Sequence, residues 1–118
     1  MAIEKKANYF GTAVEGERDL WIFPKRYREN NMSMKGNGVF KVESSGVRFA
    51  YLVGGKSFLI PVKSINKVDI GKGAAGQYNP KADVIRIYWS NDGKKLISGF
   101  KLWSNLELVK SELEKLIK

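Results

Sequence analysis

The densest mixture of aromatic and basic residues lies in residues 20–28, which read LWIFPKRYR. An arginine guanidinium can place two N–H groups on one phosphate, and an aromatic ring beside it can sit at a membrane interface. The same pattern fits Trp21 and Phe23 as core residues at strand spacing, followed by a solvated basic turn after Pro24. Four residues of this stretch are our candidates for contacting an anionic ligand or a partner: Lys25, Arg26, Tyr27 and Arg28.

A second pattern is a set of glycines spaced G-x-G-x-x-G after a short apolar run: Gly71, Gly73 and Gly76. Dinucleotide binding by this motif needs a helix N-terminus directly after the glycines, because free N–H groups there hold the pyrophosphate. Here Pro80 and an evident strand from residue 83 leave no room for a helix. We therefore expect a connection between two antiparallel strands, whose Lys72 and Lys81 could still contact a phosphate or a partner.

Catalytic chemistry has little support in this sequence. There is no histidine and no cysteine, so the usual proton shuttle and the strongest side-chain nucleophile are both missing. The carboxylates Asp69, Asp83 and Asp92 fall at predicted strand ends or turns, with no spacing typical of a dyad or a metal site. We predict that the protein is not an enzyme, with no catalytic residues, no metal site and no cofactor.

The charge of the chain is unevenly distributed. Of the net charge of +9 carried by 118 residues, residues 35–103 contribute +8, from twelve basic and four acidic residues. Such an excess attracts anionic membranes, nucleic acids and acidic protein surfaces, although it also keeps a small protein soluble. No apolar run approaches the roughly 20 residues of a membrane span, and no secretory signal is evident. We expect one domain over residues 1–118 that is cytoplasmic, with peripheral membrane contact as one role.

The middle of the chain alternates between apolar and polar residues with the period of a β-strand. Gly54-Gly55-Lys56 and Asn91-Asp92-Gly93 separate alternating runs and predict hairpins. Counting one or two strands within residues 1–34, the pattern predicts about seven strands. One of these runs places four side chains on one face of a strand: Val47, Phe49, Tyr51 and Val53.

The last segment changes to helical spacing, and we predict a helix over about residues 105–117. Ser104 and Glu107 form a predicted capping box, and Trp103 and Leu108 are placed as a hydrophobic staple. A helix this short is marginal alone in water, so its apolar stripe must pack on the sheet. That stripe consists of Leu106, Val109, Leu113, Leu116 and Ile117.

The order of these motifs covers most of the chain. A Gly-Val-Phe-x-Val run at residues 38–42 precedes Gly-Val-Arg-Phe at 46–49, Phe-x-Ile-Pro at 58–61, Leu-x-Ser-Gly-Phe at 96–100 and the helix. This arrangement resembles the pleckstrin-homology (PH) superfold, in particular its GRAM-like and bacterial PH-like branches, and residues 1–34 match it least. The resemblance implies a mainly β fold: an antiparallel barrel or sandwich closed by one C-terminal helix.

The resemblance also implies a function, a non-catalytic binding or adaptor module. Its partner would be a protein, including a second copy of the chain, or the anionic lipid headgroups of a membrane. Two alternatives remain at this point. One is a basic β-barrel that binds nucleic acid. The other is a PilZ-like cyclic-dinucleotide binder. Arg26, Arg28 and residues 43–46 resemble the basic and Ser/Gly motifs of that family in residue type, but their spacing differs.

Overall fold

The computed structural model describes residues 3–14, 31–32, 35–74, 77–78 and 83–117, with residues 73–74 and 77–78 described by their backbone alone. The elements are β1 (Ile3–Val14), β2 (Gly36–Glu43), β3 (Gly46–Tyr51), β4 (Ser57–Pro61), a 3-10 turn (Val62–Ser64), β5 (Ile65–Gly71), β6 (Gly73–Ala74), β7 (Gln77–Tyr78), β8 (Val84–Asn91), β9 (Lys94–Leu102) and α1 (Leu106–Leu116).

Seven strands form one antiparallel sheet in the order β4-β3-β2-β1-β9-β8-β5, and this confirms the predicted fold class. The described strands do not close this sheet, so β4 and β5 are its two edges. Buried residues from both edge strands nevertheless belong to one hydrophobic core, together with Val109 and Leu113 of α1. The arrangement is a PH-like sandwich with the helix packed on its core.

The strand β1 pairs with both halves of the sheet, β4-β3-β2 on one side and β9-β8-β5 on the other. Its residues from Ile3 to Tyr9 pair with β2, and its residues from Ala7 to Val14 pair with β9. The register with β9 shifts between Tyr9 and Gly11, and Gly11 has a φ of 117°. A bulge of this kind bends a strand and increases its twist, which lets one strand form the corner between the two halves.

The strand directions give the sheet two distinct ends. Because all pairings are antiparallel, β1, β3 and β8 run the same way, and the connections that follow them leave from one end. We call this the loop end. β2, β5 and β9 finish at the opposite end, where the chain continues into α1, and we call that the helix end.

The glycine-rich connection is confirmed as a link between antiparallel neighbours, since Gly71 of β5 pairs with Val84 of β8. Within it, Gly73 and Ala74 pair with Tyr78 and Gln77 in a short hairpin. The connection contains strand pairing where a dinucleotide fingerprint needs a helix, which excludes that geometry for the described residues.

The predicted C-terminal helix is confirmed, but its predicted capping box is wrong. The residue that caps α1 is Asn105, in the left-handed conformation with a φ of 57°, and no side chain caps the helix. The helix begins one residue later than the box requires, because asparagine tolerates this conformation and lets the chain turn sharply after β9. The predicted staple residues Trp103 and Leu108 are exposed.

A chain of buried polar groups crosses the core. The Trp89 indole N–H donates to Ser98 Oγ (2.9 Å), Ser98 Oγ and Thr12 Oγ1 are 2.6 Å apart, and Thr12 also bonds the Tyr9 hydroxyl. In the described residues, no buried side-chain nitrogen or oxygen lacks a partner. Each group in this chain therefore depends on its neighbours.

Replacing Ser98 by alanine is expected to lower the free energy of unfolding by about 1–3 kcal/mol, because the buried indole N–H of Trp89 loses its acceptor. The matched control is Ser90→Ala, whose hydroxyl accepts a bond from the exposed Asn66 and should cost less than about 0.5 kcal/mol. Urea unfolding of both variants measures the difference. Equal losses would show that the buried chain adds nothing to stability.

Candidate loop-end binding surface

The β3–β4 connection presents two large apolar side chains to solvent. The N–H of Tyr51 donates to the Lys56 carbonyl (3.0 Å), which closes a loop of four residues, 52–55. The N–H of Leu52 donates to the carbonyl of Asn37 in β2 (3.1 Å). Leu52 is 70% exposed and Val53 is 79% exposed. We call these two residues the Leu52–Val53 tip.

Two glycines complete this loop. Gly54 and Gly55 have φ values of 92° and 66°, a region that side chains other than glycine rarely adopt. Lys56 follows them and is exposed. The tip is therefore held at the end of a defined hairpin and is followed by a positive charge.

Asn31 and Met32, which lie shortly before β2, are anchored beside this hairpin by hydrogen bonds. The hydroxyl of Tyr51 donates to the Asn31 carbonyl (2.6 Å), and the Asn31 amide donates to the Ser57 carbonyl (2.9 Å). Met32 is fully buried, and its carbonyl accepts a bond from the Tyr9 hydroxyl (3.3 Å). Burial raises the pKa of Tyr51 from its ordinary value near 10 to about 12, so this hydroxyl stays protonated and able to donate into alkaline solution.

The β8–β9 turn adds further lysines at the same end. It is the two-residue hairpin that the Asp-Gly pair predicts, with φ values of 50° at Asp92 and 76° at Gly93. Lys94 and Lys95 follow the turn and are exposed. The loop end thus combines an apolar tip with exposed lysines from two connections.

The structure does not bring the predicted site residues together on one described surface. Residues 25–28 and Lys81 lie outside the described residues. Lys72 is at the helix end, where its ammonium pairs with Asp83 at 2.5 Å. Asn31, in contrast, is held at the loop end. A shared role for all six candidates stays a prediction.

The outer face of β5 and β8 carries an ordered polar cluster. Arg86 donates to both carboxylate oxygens of Asp69 (2.7 and 3.2 Å), and Tyr88 donates to the same carboxylate (3.0 Å). The hydrogen bond to Asp69 is the main cause of a raised pKa at Arg86. A Cβ at Gly71 would lie 2.4 Å from the guanidinium carbon, so glycine makes room for Arg86. We assign this cluster to cross-strand stabilisation.

The Leu52–Val53 tip is the feature that sequence reasoning missed. The alternating pattern predicts that Val53 continues the apolar face of its strand, but β3 ends at Tyr51, so that prediction is wrong. The predicted connection, Gly54-Gly55-Lys56, would have kept Val53 in the strand, whereas the observed loop closes between Tyr51 and Lys56. The unbroken apolar run followed by two glycines was the available signal.

The described ranges contain neither a metal-binding cluster nor a membrane-spanning helix. No group of three or more acidic side chains is placed to hold a metal ion there. None of the helices in that part of the chain has the length and apolar character needed to cross a membrane.

Comparison with known families identifies the fold. A family model described as bacterial PH domain-like matches residues 2–113. The chain belongs to the bacterial PH domain-like family. No curated protein matches the chain. PH-like domains generally act as non-catalytic binding modules, which is the role that the resemblance implies for this bacterial PH-like domain.

Proposed function

We propose that this bacterial PH-like domain is a binding module that docks its loop end on an anionic membrane surface. The observation that carries the proposal is the Leu52–Val53 tip, two apolar side chains exposed to 70% and 79% on a hairpin followed by Lys56. Exposed apolar groups rimmed by polar residues mark protein or membrane contact sites. We further propose that residues 1–118 act as one non-catalytic domain that works at the cytoplasmic face of a membrane.

The magnitudes show why charge alone is not enough. A lysine near an anionic surface contributes about 1 kcal/mol, so Lys56, Lys94 and Lys95 together would give roughly 3 kcal/mol, weaker than millimolar binding. Transferring a leucine or valine side chain out of water contributes about 1.5–3 kcal/mol each. The tip and the lysines together reach roughly 6–9 kcal/mol, which corresponds to about micromolar binding.

The basic segment at residues 25–28 is proposed to add to this surface. It precedes Asn31 by only a few residues in the sequence, and Asn31 is held beside the β3–β4 hairpin by Tyr51 and Ser57. Guanidinium groups suit lipid phosphates because of their bidentate geometry. This chain connectivity supports Lys25, Arg26, Tyr27 and Arg28 as contacts with the headgroup layer.

Co-sedimentation with vesicles tests the proposal. We expect the protein to pellet with phosphatidylcholine vesicles that contain 30% phosphatidylserine, and to pellet poorly with pure phosphatidylcholine. Raising the salt from 50 to 500 mM should weaken binding, because surface charges are screened. Equal recovery in the supernatant with both kinds of vesicle would refute membrane docking.

Arg26→Glu combined with Arg28→Glu is expected to weaken vesicle binding at least tenfold, with a nearly unchanged thermal midpoint. The matched control reverses two lysines away from the loop end, Lys41→Glu with Lys63→Glu, of which Lys63 lies in the turn after β4. The control has the same net charge, so it separates local contact from overall charge. A large fall in the midpoint of the arginine variant would show instead that the segment is structural.

A further inference from the structure

The two edges of the sheet are unequally protected. At β4, Pro61 has no N–H to offer, and the Ser57 carbonyl already accepts a bond from Asn31. Proline on an edge strand is a common way to prevent strand addition. The β4 edge is therefore poorly suited to pair with another chain.

The edge formed by β5 is different. Among the described strands it pairs with β8 alone, it contains no proline, and it keeps a regular register from Lys67 to Gly71 after a shift next to Ile65. In the part of the chain that the structure describes, no strand lies on its other side. An edge of this kind presents unpaired N–H and C=O groups to an extended segment.

A depression lies directly beside this edge, between β5 and the C-terminal half of α1. Its volume is about 460 Å³, and its lining comprises Asn66, Lys67, Val68, Glu114 and Ile117. Val68 is buried and Ile117 is half-buried, so the depression has an apolar floor. Apolar side chains of an added strand could pack there, because alternate side chains of a strand point to the same face.

The charges around the depression favour an acidic occupant. The Glu114 carboxylate is already paired with Lys110 (3.0 Å), a hydrogen bond that raises the pKa of Lys110. Lys67 lies over the Tyr88 ring at 4.4 Å and has no carboxylate partner among the described residues. The exposed ammonium of Lys67 is therefore available to pair with a carboxylate on the outer face of an added strand.

We propose that a partner protein adds an extended segment to the free edge of β5, with apolar side chains alternating with acidic ones. Main-chain hydrogen bonds to residues 67–71 provide the affinity, and alternate side chains provide the specificity. The apolar side chains pack on Val68 and Ile117, and an acidic side chain pairs with Lys67. This surface is separate from the loop end, so the inference does not rest on membrane docking.

A fluorescein-labelled peptide with the sequence GEVEVEVG is the probe. We expect saturable binding by fluorescence anisotropy, with NMR shifts concentrated in the amides of residues 66–71 and 114–117. A second peptide in which alternate amides are N-methylated should lose binding, because it cannot complete the ladder. A third peptide with lysine in place of glutamate should bind at least tenfold more weakly.

The protein variant Lys67→Glu should reverse this preference, binding the lysine peptide better than the glutamate peptide. Lys95→Glu makes the same charge change at the loop end and should leave the preference unchanged. This reversal also shows that the Lys67→Glu protein is folded. NMR shifts confined to other surfaces, or equal binding of the N-methylated peptide, would overturn the proposal.

Discussion

Replacing both residues of the Leu52–Val53 tip by serine should reduce the affinity for phosphatidylserine-containing vesicles by about 30- to 1,000-fold. Both side chains are mostly exposed in the free protein, so the apolar surface that membrane contact removes from water is lost almost entirely in the variant. Full transfer of such a side chain out of water contributes about 1.5–3 kcal/mol. Because Leu52 is 70% exposed and Val53 is 79% exposed in the free protein, the difference is about 1–2 kcal/mol for each side chain, and the loss is roughly 2–4 kcal/mol in total. Vesicle titration followed by co-sedimentation measures it.

The control for this experiment is Leu108→Ser, which removes another exposed leucine, on α1, where Leu108 is 48% exposed. We expect its vesicle affinity to stay within about twofold of the unsubstituted protein, because it changes apolar surface away from the loop end. The thermal midpoint of the tip variant should also be unchanged. Equal loss in both variants would mean that general surface hydrophobicity, and not the tip, drives the association.

Phe100→Ala should lower the free energy of unfolding by about 3–5 kcal/mol, the range for truncating a buried phenylalanine. Phe100 is fully buried on β9, and its ring centroid lies 5.2 Å from Tyr9, 5.0 Å from Phe40 and 5.6 Å from Phe49. Because domains of this kind have only about 5–15 kcal/mol of stability, the variant should be partly unfolded in mild denaturant. Urea unfolding followed by circular dichroism measures the loss.

Phe100→Leu is the companion variant, since it retains most of the buried volume and should cost less than about 1.5 kcal/mol. The contrast between the two variants separates loss of volume from loss of aromatic contacts. If Phe100→Ala were as stable as Phe100→Leu, the side chains around it would have to collapse into the space without strain. Such a result would contradict a tightly interlocked aromatic core.

The sequence was sufficient to predict the strand count, the terminal helix and the hairpin at Asp92-Gly93, because each depends on local periodicity or on a turn that needs a positive φ. It did not predict where β3 stops. Whether Val53 belongs to the strand depends on the hydrogen bonds that Tyr51 and Leu52 make with Lys56 and Asn37, and local pattern does not contain such contacts.

For the candidate site, too, some features were predictable from the sequence and others were not. The concentration of basic residues was visible in the sequence, but the separation of Lys72 from the loop end is a consequence of strand direction. The capping box failed because the backbone at Asn105 moved the helix start by one residue. Residue types were thus predictable, whereas the surface that each residue joins depended on topology.

The bulged strand β1 has a consequence for how the protein unfolds. It pairs with β2 over its first part and with β9 over its second, and both pairings include Ala7, Asn8 and Tyr9. If either half of the sheet separates, β1 loses hydrogen bonds, and the other half also pairs with β1. The two halves are therefore expected to melt as a single cooperative unit, without a stable half-folded intermediate.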